Sequence, residues 1–147
     1  MQMGWPSMSI WGKRVGLLIV FLWFMGGGIT HFTNTPFFVH ITPPFVPWPF
    51  VAVYVSGAFE ILGAIGILIP RWRQLAGTCL FILTIAVTPA NIYMWLHPEL
   101  FAGNSPTALT LRLVLQVMLL TCIWVSTRMP SRLPASVASG VGASGTA

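Results

Sequence analysis

Four apolar stretches, each about as long as a helix that crosses a membrane, leave this chain few ways to fold. They cover residues 15–32, 49–69, 75–96 and 108–127. Each holds roughly the 20 residues that span hydrocarbon at about 1.5 Å per residue. In lipid the backbone must satisfy its own hydrogen bonds, which leaves helices or closed barrels. The ten-residue alternating segments of a barrel are missing. The expected fold is therefore all-α, a polytopic membrane protein built as a four-transmembrane-helix bundle within residues 1–129. Composition agrees. Only 6% of residues are charged, against about 25% in a soluble domain, and 56% are hydrophobic. An ordinary cytosolic enzyme and a disordered chain are both excluded, and two cysteines do not make a disulfide scaffold.

The net charge of +5 does not point to nucleic acid, because the basic residues are scattered singly or in pairs. Their placement instead reads as topology. Lys13 and Arg14 precede the first stretch, Arg71 and Arg73 lie between the second and third, and Arg128 and Arg132 follow the fourth. The other two connections hold no lysine or arginine. By the positive-inside rule both termini are expected in the cytoplasm, in the inner (plasma) membrane. The first stretch is read as a retained helix, since it runs through Gly26-Gly27-Gly28 to His31-Phe32 without a signal-peptidase pattern. The prolines of residues 33–48 forbid a long helix there, and Phe37, Phe38, Phe45 and Trp48 suit a cap in the outer interface or one that dips into the bundle. Residues 130–147, small and polar, are expected to be a disordered cytoplasmic tail.

Ionisable groups inside a span are expensive and are functional candidates by default. There are three: His31, Glu60 and Arg112, with the amides Asn91 and Gln116 beside them. With the spans alternating in direction, each helix brings a polar group to the outer half. His31 ends the first span, Glu60 lies about 16 Å below the start of the second, and Arg112 and Gln116 lie one turn apart on the fourth. Ser56, Glu60, Gly63 and Ala64 share one stripe, which marks a face packed on other helices. Thr84, Thr88, Asn91 and Trp95 line one side of the third span, where Pro89 interrupts the helix and frees the Ile85 carbonyl. Glu60 and Arg112 are read either as an ion pair that fixes helix register or as a pair that faces a ligand or handles protons; a lipid-facing placement is the third reading. Asn91 is an interhelical hydrogen bond or a ligand contact, and His31 an interfacial residue or a member of the cluster. With Tyr54, the candidate ligand-binding set is His31, Tyr54, Glu60, Asn91, Arg112 and Gln116.

Other chemistry is weakly signalled. His40, His97 and Glu99 have no zinc-type spacing, so no metal site is assigned. Cys79 and Cys122 read as packing residues, and no phosphate loop or nucleophile elbow is present.

Several segments together carry a family likeness: GGGITHF and PFFVHITPPFVPWP, VYVSGAFEILGAIGILIPRWR, TPANIYMWLHP, and LRLVLQ. Over residues 17–126 the chain resembles the DoxX-like family of small four-helix membrane proteins. The resemblance implies that His31, Glu60, Asn91, Arg112 and Gln116 are the family's polar positions. Similar proteins include a membrane subunit of a thiosulfate:quinone oxidoreductase and a maturation protein for methylamine dehydrogenase, but this chain lacks the cysteine pair of a thiol-redox member. The expected function is an accessory membrane subunit that binds a quinone or another small lipophilic molecule in an outer-half polar pocket. Its expected partners are the lipid bilayer, that ligand, and a membrane redox protein or further copies of itself. An assembly factor acting through helix–helix contacts, or a small transporter, is the alternative. A stand-alone enzyme is disfavoured because no catalytic constellation is visible.

Overall fold

The computed structural model describes residues 8–101, 103, 105–128 and 131–132. Their α-helices are α1 (Ile10–Thr33), α2 (Thr35–Ile41), α3 (Pro49–Leu68), α4 (Arg73–Ala86), α5 (Thr88–Leu96) and α6 (Pro106–Arg128), with a single 3-10 turn at Pro98–Leu100. Four helical stretches are long and apolar enough to cross a membrane: Ile10–Thr33, Pro49–Leu68, Arg73–Leu96 and Pro106–Arg128. A multi-pass membrane protein is compatible with them. Most of the expected tail lies outside the described residues. Its Ser131–Arg132 (β2) pairs in parallel with Met8–Ser9 (β1), just ahead of α1.

Local chemistry sets the helix ends. The Ser9 side chain accepts from the Gly12 N–H at 3.0 Å and caps α1. Pro36 falls in the first turn of α2, where a missing N–H costs nothing, so seven residues of the proline-rich connection are helical after all. Pro43 then holds Thr42 extended and stops the helix. At the far end of α3, Ile69 before Pro70 is extended, and the Arg73 guanidinium donates from Nε to the Ile67 carbonyl at 2.8 Å. That cation supplies the partner that a helix C-terminus lacks. The third stretch breaks at Val87, between α4 and α5, with Pro89 in the first turn of α5.

The four long stretches form a ring in which α1 packs on α3 and α6, and α4 packs on the same two. The core lies toward the β1 end: Leu17, Val20 and Phe24 meet Ala64, Ile67, Leu80, Leu119 and Ile123. Toward the α2 end a smaller cluster of Ile41, Met94, Phe101 and Leu109 joins α2 and α5 to α6. Leu, Ile, Val and Trp side chains cover the outside, as lipid would favour. The closest helix approach is between α1 and α3. A Cβ on Gly28 would stand 2.9 Å from the Gly57 carbonyl oxygen, so only glycine permits that spacing.

Gly28→Val should therefore destabilise the bundle by about 1–3 kcal/mol. Gly26→Ala should stay within about 0.5 kcal/mol, since nothing lies within 4 Å of its added Cβ. Denaturant unfolding of both variants in detergent micelles measures the difference.

Candidate functional site

The break at Val87 creates the demand that organises the site. The Thr84 carbonyl, in the last turn of α4, takes a hydrogen bond from Thr88 Oγ1 at 3.0 Å and another from Gln116 Nε2 at 3.2 Å. Gln116 Nε2 also donates to Thr88 Oγ1, and Gln116 Oε1 accepts from Asn91 Nδ2. Asn91 Oδ1 accepts from Arg112 Nε at 2.8 Å. The donor and acceptor sequence has one solution. A guanidinium can only donate, so Asn91 turns its oxygen to Arg112 and its nitrogen to Gln116, which leaves the Gln116 nitrogen for Thr88 and Thr84. This relay ties α6 to both halves of the broken stretch.

A second polar group stands on α1 and α3. His31, in the last turns of α1, is buried, and its Nδ1 donates to the Gly27 carbonyl at 2.9 Å. A carbonyl only accepts, so the proton is on Nδ1 in that bond. The ring stacks on Phe38 of α2, with centroids 3.9 Å apart. Glu60 of α3 is also buried, and its Oε2 lies 3.8 Å from His31 Nδ1. Among the described residues no donor hydrogen-bonds the Glu60 carboxyl group. Gly27 makes room for it, since a Cβ there would come within 2.7 Å of Oε2.

Between the two groups is a cavity of about 570 Å³. Glu60 and His31 line it, as do Asn91, Arg112 and Gln116, so five of the six expected residues meet in one space. Glu60 and Arg112 form no ion pair among the described residues, so of the three readings left open for them the register-fixing bridge is the one this geometry does not form. The imidazole–carboxylate contacts among the described residues are His31–Glu60 at 3.8 Å and the exposed His97–Glu99 at 3.2 Å, ionic only when the imidazole is protonated. Asn91 holds the Arg112 Nε at the α5–α6 side, while Glu60 stands beside α1. Tyr54 is not part of the site. It is exposed and stacks on Phe32, with centroids 5.6 Å apart.

Apolar walls complete the cavity: Phe24, Ile41, Val87 and Leu119 are among them, with Leu22 and Trp23 at its edge. Phe38 is a site residue outside the expected ligand-binding set; of the two readings of its segment, an interfacial cap or one that dips into the bundle, its stacking on His31 fits the second. Thr84 and Thr88 were legible as one face with Asn91, though not as members of the ligand-binding set. No group of three or more His, Cys, Asp or Glu among the described residues could hold a metal ion. Cys79 and Cys122 are free thiols.

Residues 19–127 match a family described as a domain of unknown function (DUF8561), and the chain belongs to that family. No curated protein and no solved structure matches it.

Gln116→Leu should cost about 1–2 kcal/mol in unfolding free energy, because Asn91 Nδ2 and the Thr84 carbonyl each lose a partner. Glu60→Gln should change stability by less than about 0.5 kcal/mol, since no hydrogen bond to the carboxyl group is lost. Chemical denaturation in a mild detergent separates the two.

Proposed function

We propose that this DUF8561 member is an accessory membrane subunit that holds a quinone or another small lipophilic molecule in the cavity. The observation that carries the reading is that Glu60 and Arg112 line one cavity of about 570 Å³ from different helices without pairing with each other. That volume lies within the range of sites for small molecules, about 300–1,000 Å³. A mainly apolar wall with a few convergent polar groups is the usual make-up of such a site. Arg112 Nε is taken by Asn91, and its two terminal nitrogens have no hydrogen bond among the described residues. They are donors for an oxygen on the ligand, and the Glu60 carboxyl group either accepts from a hydroxyl of the quinol form or, when protonated, donates to a carbonyl of the quinone form. A ring bearing oxygens at both ends suits that pair of walls.

The motif likeness to the DoxX-like family supports the same picture, since similar proteins include a subunit of a quinone-linked enzyme. In this reading the redox step belongs to a partner protein. The distribution of Lys13, Arg14, Arg71, Arg73, Arg128 and Arg132 supports an inner (plasma) membrane orientation with both termini cytoplasmic. The α2 end, and with it the cavity, then faces the outer half of the bilayer.

Purification in a mild detergent, followed by solvent extraction and mass spectrometry, should recover a lipophilic small molecule near one per chain. Arg112→Ala should lower that occupancy about tenfold or more, the loss of one hydrogen bond to a charged group, and Glu60→Gln should lower it by less, since the amide oxygen still accepts while the charge is gone. Normal retention by both folded variants defeats the proposal, and a co-purifying protein without any small molecule favours an assembly factor. A reporter fused to the C-terminus that is active only in the cytoplasm checks the orientation.

A further inference from the structure

The cavity is unevenly closed. Of the residues that line it, the exposed ones are Leu22, Trp23, Gly26 and Thr30, all on α1. Leu22, Gly26 and Thr30 fall at i, i+4 and i+8, a single stripe about 12 Å long. In the ring α1 has two neighbours, α3 and α6. The α3 side is shut at this height by the Gly28–Gly57 approach, and the α6 side is shut toward the β1 end, where a Cβ on Gly16 would collide with Ser126 and Cys122 Sγ lies 3.7 Å from the Gly16 carbonyl. Toward the α2 end nothing lies within 4 Å of a Cβ on Gly26, and the cavity is lined from α1 and from Arg112, Gln116 and Leu119 of α6.

The α2 end is stoppered. Ile41 is buried, and Phe38 lies flat on His31. Behind that stack is a smaller cavity of about 270 Å³, which shares His31, Phe38, Ile41 and Val87 with the main one and extends to Val46, Ala52 and Val55. The stack is thus a partition between two spaces, and among the described residues the exposed part of the main cavity's lining is on α1.

We infer that the cavity is loaded sideways from the bilayer, through the gap between α1 and α6, by a molecule with a compact polar head and an apolar tail. The head lies against Arg112 and Glu60, deep in the ring. The tail leaves past Trp23 and Gly26 and stays among the acyl chains. The mouth runs from Leu22, near the middle of α1, to Thr30, three residues from its end, so a hydrocarbon layer of about 30 Å covers most of it. This inference rests on the reading of the cavity as a ligand site, and the experiment distinguishes the two.

The probe is a benzoquinone with a ten-carbon tail ending in a diazirine, added to the full-length protein in lipid nanodiscs. After irradiation, peptide mapping should place the tail adducts on Leu22, Trp23 or Gly26, or on α6 opposite them. Adducts on Val46, Ala52 or Val55 would show entry through the α2 end and overturn the inference while leaving the ligand site standing. Gly26→Trp puts a large ring in the mouth without meeting a neighbour at its Cβ and should lower probe binding at least tenfold. Val46→Trp should leave binding unchanged. Equal binding by wild type and folded Gly26→Trp defeats the side entrance. No binding of the probe to wild type, which a displaceable adduct reads directly, removes the site and the entrance together. If Gly26→Trp does not fold, the wild-type adduct map decides alone.

Discussion

The arrangement depends on one constraint: a polar atom surrounded by greasy helices has no water to turn to. The break at Val87 exposes that constraint at its sharpest. A helix that stops inside the bundle presents a carbonyl of its last turn, that of Thr84, to the interior. Leaving such a group unpaired costs on the order of 1–3 kcal/mol. Gln116 answers it from α6, and its remaining amide oxygen then requires a donor, which Asn91 supplies. Asn91 in turn needs a donor for its own oxygen and finds Arg112. Each bond in the relay creates the need for the next, and the chain of needs ends at a cation. Arg112 is therefore tied, through Asn91 and Gln116, to the break at Val87 in a neighbouring stretch.

The helices themselves were legible for the same reason. Four runs of about 20 apolar residues can do little else, and four helical stretches among the described residues are long and apolar enough to cross a membrane. Pro89 was legible as a break because a proline inside a helix removes one hydrogen bond wherever it stands. The short helix α2 was not. Its sequence offers three later prolines and a set of aromatics that fit an interfacial loop equally well, and only burial of Phe38 and Ile41 against the bundle tips the balance toward a helix. That burial depends on tertiary contacts, which have no periodic signal in seven residues.

The site was legible as a list and not as a map. Polar side chains in a lipid-facing sequence announce themselves by rarity, so His31, Glu60, Asn91, Arg112 and Gln116 could be named one by one. What joins to what depends on helix rotation, and opposite charges in sequence suggested a bridge that does not form. The small residues carried the missing information. Gly27 reserves a place for the Glu60 carboxyl group next to α1, and the Gly28–Gly57 approach draws α1 and α3 together at that height. Both hold Glu60 against α1, and no hydrogen bond or ion pair joins it to Asn91 or Arg112 among the described residues. Tyr54 misleads in the opposite sense, since its hydroxyl marks it as polar while its ring serves an outer stack with Phe32.

Had Glu60 and Arg112 met, the cavity would have closed around them. A buried pair with good geometry satisfies itself and leaves little for a ligand to gain. Held apart, each group keeps unmet hydrogen-bonding capacity in surroundings where that capacity is costly. In the reading proposed above, a molecule with an oxygen facing each wall would relieve both costs in a single step, whereas a plain hydrocarbon would relieve neither. The relay holds Arg112 through its Nε, and the missing side chain at Gly27 leaves room for Glu60, so the two polar walls of the cavity are set by separate packing decisions.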